Sequence, residues 1–299
     1  MHDKLIDVRI NFNEEALLGL NLALAFIMFG VALSLNKKDF IGLSKAPNAA
    51  LWGLISQYLL LPILTVVLIV VLKPHPYLQL GMVLIAVCPG GNVSNFFTYL
   101  SKGNGALSVS LSMVSTITAF LLTPIALQVW TYFLPDTNEI LRAVSVSFWD
   151  LFKIISIILL VPLVLGMGFS KLWPATAQKI QKPIKIISFL ILVGIIIGGL
   201  TANIEIFKEY YHRVVYLVFI HNGLALLMAF IVGVVTGIGR ASTKTITIET
   251  GIQNTGLGLA LVFNFFDGNG AMAIIAAWGG IWHMVSGFVV SQLFKKYYA

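Results

Sequence analysis

The sequence has little charge. Only 10% of its 299 residues are Asp, Glu, Lys or Arg, whereas 58% are hydrophobic and the mean hydropathy is +0.93. A soluble globular domain carries about 25% charged residues, so this composition excludes that class. Apolar stretches long enough to cross a bilayer recur along the chain, and the sequence therefore predicts an all-α, polytopic membrane protein.

Cysteine is nearly absent as well. Cys88 is the single cysteine, which excludes a disulfide within the chain and a metal site built from several cysteines. The net charge of +7 comes from basic residues scattered between apolar stretches, so it favours membrane topology over a nucleic-acid partner. Residues 1–15 are polar and mixed in charge, which predicts an extracytoplasmic N-terminal segment without a cleaved signal peptide.

Long apolar runs are what the chain has in abundance. A membrane helix needs about 17 to 25 mostly apolar residues. Basic residues are concentrated after every second run, starting with the first, which predicts an extracytoplasmic N-terminus and a cytoplasmic C-terminus in the cell membrane. We expect nine transmembrane helices, at residues 16–35, 49–72, 77–101, 105–133, 150–171, 184–204, 214–236, 245–266 and 271–293.

Two polar interruptions divide two of these spans. Residues 88–95 read Cys-Pro-Gly-Gly-Asn-Val-Ser-Asn, and residues 249–256 read Glu-Thr-Gly-Ile-Gln-Asn-Thr-Gly. An unpaired backbone group is so costly in a bilayer that a helix breaks at this depth only where protein or a water-filled cavity satisfies it. Paired discontinuous helices are typical of secondary transporters, whose binding site lies where the two breaks meet.

The two broken spans occupy equivalent places in two three-span units. Spans two to four and spans seven to nine each have the broken helix in the middle, and the two units enter the membrane from opposite sides. This pattern predicts inverted-topology repeats and alternating access. We expect a core domain at residues 49–138 and 214–299, and a panel domain of spans one, five and six at residues 16–48 and 139–213.

Glu249 is the one acidic residue that we place well inside the hydrocarbon. A charge at that depth costs about 2.5 to 3.5 kcal/mol on insertion scales, so it needs a cation or water. No lysine or arginine lies at comparable depth, and the surrounding oxygen atoms suit Na⁺ rather than zinc or copper. A protonated glutamic acid, and proton coupling through it, stay open as alternatives. The candidate oxygen donors are Ser94, Asn95, Ser108, Ser112, Gln57, Thr250 and Gln253.

Four sequence motifs resemble the bile acid:sodium symporter family: CPGGNVSN, TYLSKGNGALSVSLSMVST, TIETGIQNTGLGLAL and the late Trp282-His283. The resemblance extends from about Ala16 to the C-terminus, in the nine-span form, and implies two co-transported Na⁺ ions. The first would be bound by Ser94, Asn95, Ser108, Ser112 and Glu249. The second would be bound by Gln57, Glu249, Gln253 and the backbone carbonyls of Thr250 and Ile252.

The resemblance also implies an organic-anion substrate, such as a bile acid, a steroid conjugate or a small carboxylate like pantoate or a keto acid. Two Na⁺ ions beside one carboxylate leave a net charge of +1, which a monoanion would neutralise. Asn92 and Met284 depart from the residues of some relatives near the substrate pocket. The candidate substrate contacts are Gly91, Asn92, Asn254, Thr255 and His283.

The sequence thus favours a sodium-coupled symporter that imports an organic anion. The alternative is a proton-coupled or sodium-independent exporter of an organic anion or oxyanion with the same fold. An enzyme is disfavoured, because neither a nucleophile paired with a general base nor a metal-binding histidine spacing is visible.

Overall fold

The computed structural model describes residues 14–33, 41–91, 93–202 and 204–298. Over these residues the regular structure is helical, apart from one antiparallel bridge between Gly90 and Gln253. In chain order the helices are α1 (Glu14–Ala32), α2 (Ile41–Lys45), α3 (Pro47–Leu72), α4 (Pro76–Val87), α5 (Val93–Leu100), α6 (Gly105–Tyr132), α7 (Pro135–Ala143), α8 (Phe148–Leu172), α9 (Pro174–Ala202), α10 (Ile204–Val235), α11 (Arg240–Gly251), α12 (Thr255–Phe265) and α13 (Gly270–Tyr297).

Five helices in the described part of the chain are long and apolar enough to cross a membrane. They are α3, α6, α8, the Val214–Val235 part of α10, and α13. The prediction of a polytopic α-helical membrane protein is therefore confirmed. The count of nine spans, the inverted repeats and the division into core and panel stay predictions. The predicted orientation also depends on residues 1–13 and 34–40, which lie outside the described residues.

Two helix boundaries differ from the predicted ones. We expected the sixth span to begin after Pro183, but α9 starts at Pro174 and continues through Pro183. Pro174 fits the first turn of a helix, where a missing N–H costs nothing, while an internal proline removes one backbone hydrogen bond without necessarily ending the helix. Helix α10 also starts earlier, at Ile204, although its part that is apolar enough to cross a membrane, Val214–Val235, matches the predicted span at 214–236.

A wide turn interrupts α3 and α8 at matching places. Ser56–Leu60 form a π-helical turn just before Pro62, and Ser156–Leu160 form one just before Pro162. A proline ring clashes with the carbonyl four residues earlier, and a π turn relieves this clash by widening the helix there. In α3 the turn carries the buried side chain of Gln57 towards the second helix break.

Helix α11 is polar in sequence but buried on every side. All residues from Ser242 to Gly251 are buried, and α3, α5, α6, α10 and α13 pack around them. Two of its threonine hydroxyls bond within the helix: Thr245 Oγ1 donates to Ala241 O at 2.9 Å, and Thr247 Oγ1 donates to Thr243 O at 2.7 Å. Surrounding protein thus satisfies a helix that lipid would not tolerate.

Helix α1 packs chiefly on α8 and α9, and its N-terminal half also contacts α12. At that contact Asn21 and Asn264 exchange two amide hydrogen bonds, with N···O distances of 3.2 and 3.0 Å. The amide pair therefore joins α1 to the helix that follows the second break.

Candidate functional site

The two helix breaks meet at the centre of the molecule. The Gly91 N–H donates to Ile252 O at 2.8 Å, and the Asn254 N–H donates to Pro89 O at 2.9 Å. A Cβ atom at Gly91 would lie only 3.0 Å from Gln253 O, so the close approach of the two backbones requires glycine there. The backbone groups freed by one break are thus satisfied by the other, as expected for irregular structure within a membrane.

Glu249 lies directly beside this crossing, at the end of α11, and is 5% exposed. Its Oε1 accepts from Ser94 Oγ at 2.7 Å and from Ser108 Oγ, and its Oε2 accepts from Ser112 Oγ at 2.8 Å. Ser108 and Ser112 share one face of α6 because they are four residues apart. The structure therefore brings together three helices around one carboxylate.

The acceptor lone pairs of the oxygens around Glu249 outnumber the serine hydroxyl protons that can be donated to them. Ser108 Oγ has one proton but lies within hydrogen-bonding distance of both Glu249 Oε1 and Asn95 Oδ1, the latter at 2.8 Å. Within the residues that the structure describes, no lysine or arginine side chain bonds to the carboxylate or acts on it electrostatically. An excess of oxygen acceptors around a lone buried carboxylate is chemically suited to a hard cation.

The predicted second set of ligands is also assembled, but its members bond to one another. Gln57 Nε2 donates to Gln253 Oε1 at 2.8 Å, and Gln253 Nε2 donates to Gln57 Oε1 at 3.0 Å. The carbonyl of Thr250 accepts from Gln253 Nε2 at 2.7 Å, and that of Ile252 accepts from Gly91 N–H. All of these oxygens already accept one hydrogen bond, and each has one further lone pair.

Two polar residues of α10 hold the second break from its other side. Asn222 Nδ2 donates to Gly251 O at 2.6 Å, the carbonyl at the last residue of α11. His221 Nε2 lies 2.7 Å from Thr65 Oγ1 on α3. These contacts tie α3, α10 and the end of α11 into one polar cluster.

A cavity of about 930 Å³ extends from the crossing to α1, α8 and α9. Its wall on α1 and α8 is apolar, with Leu24, Met28 and Leu159 among its members. None of the described residues that line it is Asp, Glu, Lys or Arg. The N-termini of α5 and α12 both open onto it, and helix N-termini carry a partial positive charge. The cavity can thus attract an anion without a basic side chain.

The candidate substrate contacts differ in whether they line the cavity and in whether their polar atoms are already hydrogen-bonded. Thr255 and His283 line the cavity, and His283 Nδ1 is buried with no hydrogen-bond partner among the described side chains. Asn254 also lines it, but its Oδ1 caps α12 by accepting from Leu257 N–H at 3.1 Å. Gly91 lines it too, although its own amide is already engaged. Asn92 lies outside the described residues.

Comparison with known proteins gives a family match. The model of the sodium bile acid symporter family matches residues 21–210 of the chain. The uncharacterized sodium-dependent transporter YocS of Bacillus subtilis is 30% identical over 277 residues, which cover 93% of this chain and 83% of YocS. The chain belongs to the sodium bile acid symporter family. The family is described as one of sodium bile acid symporters, and YocS is named as a sodium-dependent transporter.

Relatives from other kingdoms align over most of the chain. The human ileal sodium/bile acid cotransporter is 28% identical over 244 residues, covering 81% of this chain and 68% of the human protein. The probable sodium/metabolite cotransporter BASS1 of Arabidopsis thaliana chloroplasts is 27% identical, covering 92% and 66% respectively. The family thus includes proteins named for a bile acid and for metabolites, and membership leaves the substrate of this chain open.

Some functional positions were missed from the sequence. The apolar wall of the cavity on α1 and α8 carries no polar signal that would mark it. Lys244 was counted only as a cytoplasmic charge, whereas its buried Nζ donates to Ser101 O at 3.1 Å and holds the end of α5 against α11. The available signal was a lysine within a run of threonines. A basic side chain beside a helix C-terminus stabilises that helix end, as Lys244 does at the end of α5.

Proposed function

We propose that this chain is a sodium-coupled symporter that imports an organic anion by alternating access. The observation that carries the proposal is Glu249: a buried carboxylate at the crossing of two broken helices, supplied with hydroxyl donors but with no basic side chain. Donors favour the ionised form of a carboxylate. An ionised Glu249 needs a cation, and a sodium ion is the one that the family transports.

The first Na⁺ is bound by Glu249 with oxygens of Ser94, Asn95, Ser108 and Ser112. The serine hydroxyls keep free lone pairs while they donate to the carboxylate, so they can serve both the carboxylate and a cation. The second Na⁺ binds at Gln57, Gln253, Glu249 and the carbonyls of Thr250 and Ile252. For this to happen the Gln57–Gln253 amide pair must give up one of its two mutual hydrogen bonds.

The substrate is a monoanion that binds in the cavity beside Asn254, Thr255 and His283. Two Na⁺ ions and Glu249 leave a charge of +1, and the N-termini of α5 and α12 add partial positive charge on the cavity side. A volume of about 930 Å³ lies within the range of pockets for drug-sized ligands. It admits a steroid-sized anion against the apolar wall as well as a smaller carboxylate such as pantoate or a keto acid.

Transport follows from differential binding. Na⁺ binds first, neutralises Glu249 and orders the crossing, and the loaded carrier then changes access by movement of the core (49–138, 214–299) against the panel (16–48, 139–213). In this proposal nine helices span the cell membrane, with the N-terminus outside and the C-terminus in the cytoplasm.

Reconstituted vesicles test the proposal. At fixed pH an inward Na⁺ gradient should drive uptake of a labelled carboxylate from a panel of bile acids and small acids, and an inward proton gradient at equal Na⁺ should not. Glu249→Gln should abolish the Na⁺ dependence, while Asp136→Asn, which removes an exposed carboxylate, should leave it unchanged. Uptake driven by protons alone would favour the proton-coupled alternative, and normal Na⁺ dependence in Glu249→Gln would refute the assignment.

A further inference from the structure

Among the described residues, three buried oxygens on α3, α10 and α11 have no hydrogen-bond partner. They are Ser56 Oγ on α3, Thr250 Oγ1 on α11 and Asn222 Oδ1 on α10, and their residues are 0%, 1% and 2% exposed respectively. Threonines elsewhere in α11 donate to the carbonyl four residues earlier, as Thr247 does. Buried polar groups are almost always paired, so three unpaired oxygens around one helix end require an explanation.

Helices α3 and α11 run side by side in the same direction. A Cβ atom at Gly53 would lie 3.2 Å from Ile246 Cγ2, and further along the chain Gln57 of α3 bonds to Gln253, two residues beyond the end of α11. Both contacts occur in the same chain order, so the helices are parallel and any residue between the contacts lies at a shared level.

Ser56 and Thr250 both lie, in sequence, between these two contacts. Ser56 follows Gly53 by three residues and Thr250 follows Ile246 by four, so each lies one turn further along the face that its helix presents to the other. Asn222 approaches the same helix end from α10, because its Nδ2 donates to Gly251 O at 2.6 Å. Its Oδ1 is the third oxygen of the group.

The chemistry of this group is that of a weak, hard-cation site. All three atoms are neutral oxygens, which suit an alkali or alkaline-earth ion and not a soft transition metal. Thr250 is in the last turn of α11 and the Asn222 amide contacts Gly251 O at its end, where the helix dipole places partial negative charge. Glu249 is the adjacent residue, so the site shares its one full negative charge, which suits a monovalent ion better than a divalent one.

We propose that the hydroxyls of Ser56 and Thr250, together with Asn222 Oδ1, are ligands of the second Na⁺. This inference rests on the proposed function; it adds Ser56 and Asn222 to the ligands expected from the sequence, and it assigns the Thr250 hydroxyl in addition to the Thr250 carbonyl. The amide oxygens of Gln57 and Gln253 already accept hydrogen bonds from each other, whereas these three oxygens accept none. The ion thus binds without first breaking the whole amide pair.

Sodium binding to the purified full chain tests this directly. Thermal unfolding is followed while NaCl replaces choline chloride at constant ionic strength, and equilibrium dialysis with radioactive Na⁺ counts bound ions. The wild type should bind two ions per chain. Thr250→Val and Ser56→Ala should each raise the Na⁺ concentration for half-maximal stabilisation by at least about tenfold, the range seen when a group supporting a metal site is lost, and leave one ion bound.

Two variants make the outcome specific. Thr247→Val removes a hydroxyl of the same helix that is already bonded to Thr243 O, so it should keep the wild-type midpoint within about twofold. Thr250→Ser keeps the hydroxyl and should retain both ions. If Thr250→Ser loses Na⁺ as Thr250→Val does, packing and not the hydroxyl matters, and the inference is overturned.

The result also separates this inference from the proposed function. If the wild type shows no Na⁺-dependent stabilisation, both the three added ligands and the proposed symporter function are contradicted. A wild type that binds two ions, with Thr250→Val and Ser56→Ala matching Thr247→Val, overturns only the three added ligands and leaves the symporter intact.

Discussion

Replacing Gly91 by alanine should weaken Na⁺ binding through the backbone alone. Gly91 contributes no side chain, but the added Cβ atom would lie 3.0 Å from Gln253 O, 3.3 Å from Gln253 C and 3.4 Å from Ile252 O. All three neighbours are backbone atoms of the other break, so no side chain can rotate away. The two breaks must move apart by a few tenths of an ångström.

The expected loss of Na⁺ affinity follows from the two backbone hydrogen bonds that the substitution strains. The separation strains Gly91 N–H to Ile252 O (2.8 Å) and Asn254 N–H to Pro89 O (2.9 Å). A backbone hydrogen bond contributes about 0.5 to 1.5 kcal/mol net, so losing both weakens the crossing by roughly 1 to 3 kcal/mol. At 1.4 kcal/mol per tenfold, Na⁺ affinity should fall about 5- to 150-fold.

The assay is thermal unfolding of the purified protein over a range of NaCl concentrations at constant ionic strength. Gly223→Ala is the matched control, because a Cβ atom there meets nothing within 4 Å and lies inside α10. It should leave the Na⁺ midpoint unchanged. If Gly91→Ala and Gly223→Ala give the same midpoint, the contact between the breaks does not govern cation binding and the reasoning is refuted.

Three further changes probe other contacts. Bridging an Asn21→Cys, Asn264→Cys variant with a short bifunctional methanethiosulfonate reagent should stop uptake in vesicles until the bridge is reduced, because the native amides join α1 to α12 at 3.0–3.2 Å; unchanged uptake by the cross-linked form would show that this contact need not open. Lys244→Met should lower the free energy of unfolding by about 1 to 3 kcal/mol, since a carbonyl loses its buried donor; exposed Lys171→Met is the control in denaturant titrations. Cys88, which is 0% exposed, should react with maleimide only after unfolding, and rapid labelling of the native protein would contradict its burial.

The sequence was most informative where polar residues contradict their surroundings. Glu249 and the two Pro- and Gly-containing breaks stand out because the hydrocarbon excludes such residues unless protein satisfies them. The four-residue spacing of Ser108 and Ser112 placed both hydroxyls on one helix face in advance. These features are local in sequence, so they needed no knowledge of the fold.

Pairings between distant residues were not predictable in the same way. The amides of Gln57 and Gln253 are 196 residues apart, and nothing local shows that they bond to each other rather than to an ion. Asn254 could be assigned as a substrate contact or as a helix cap, and only the backbone direction of α12 shows the cap. Ser56 was not singled out from the sequence, and Thr250 was expected to supply an oxygen without any local sign that its hydroxyl does not bond to its own helix, as such hydroxyls usually do.

The burial of α11 bears on how the protein is made. A segment that contains Arg240, Lys244 and Glu249 is too polar to partition from the translocon into lipid by itself, since each charged residue at mid-depth adds about 2.5 to 3.5 kcal/mol. During biogenesis α11 can enter the membrane only after α3, α6 and α10 are there to pack around it. Its insertion is therefore coupled to tertiary assembly. The segment that contains the second break can therefore insert only when the earlier helices of the chain are already in the membrane.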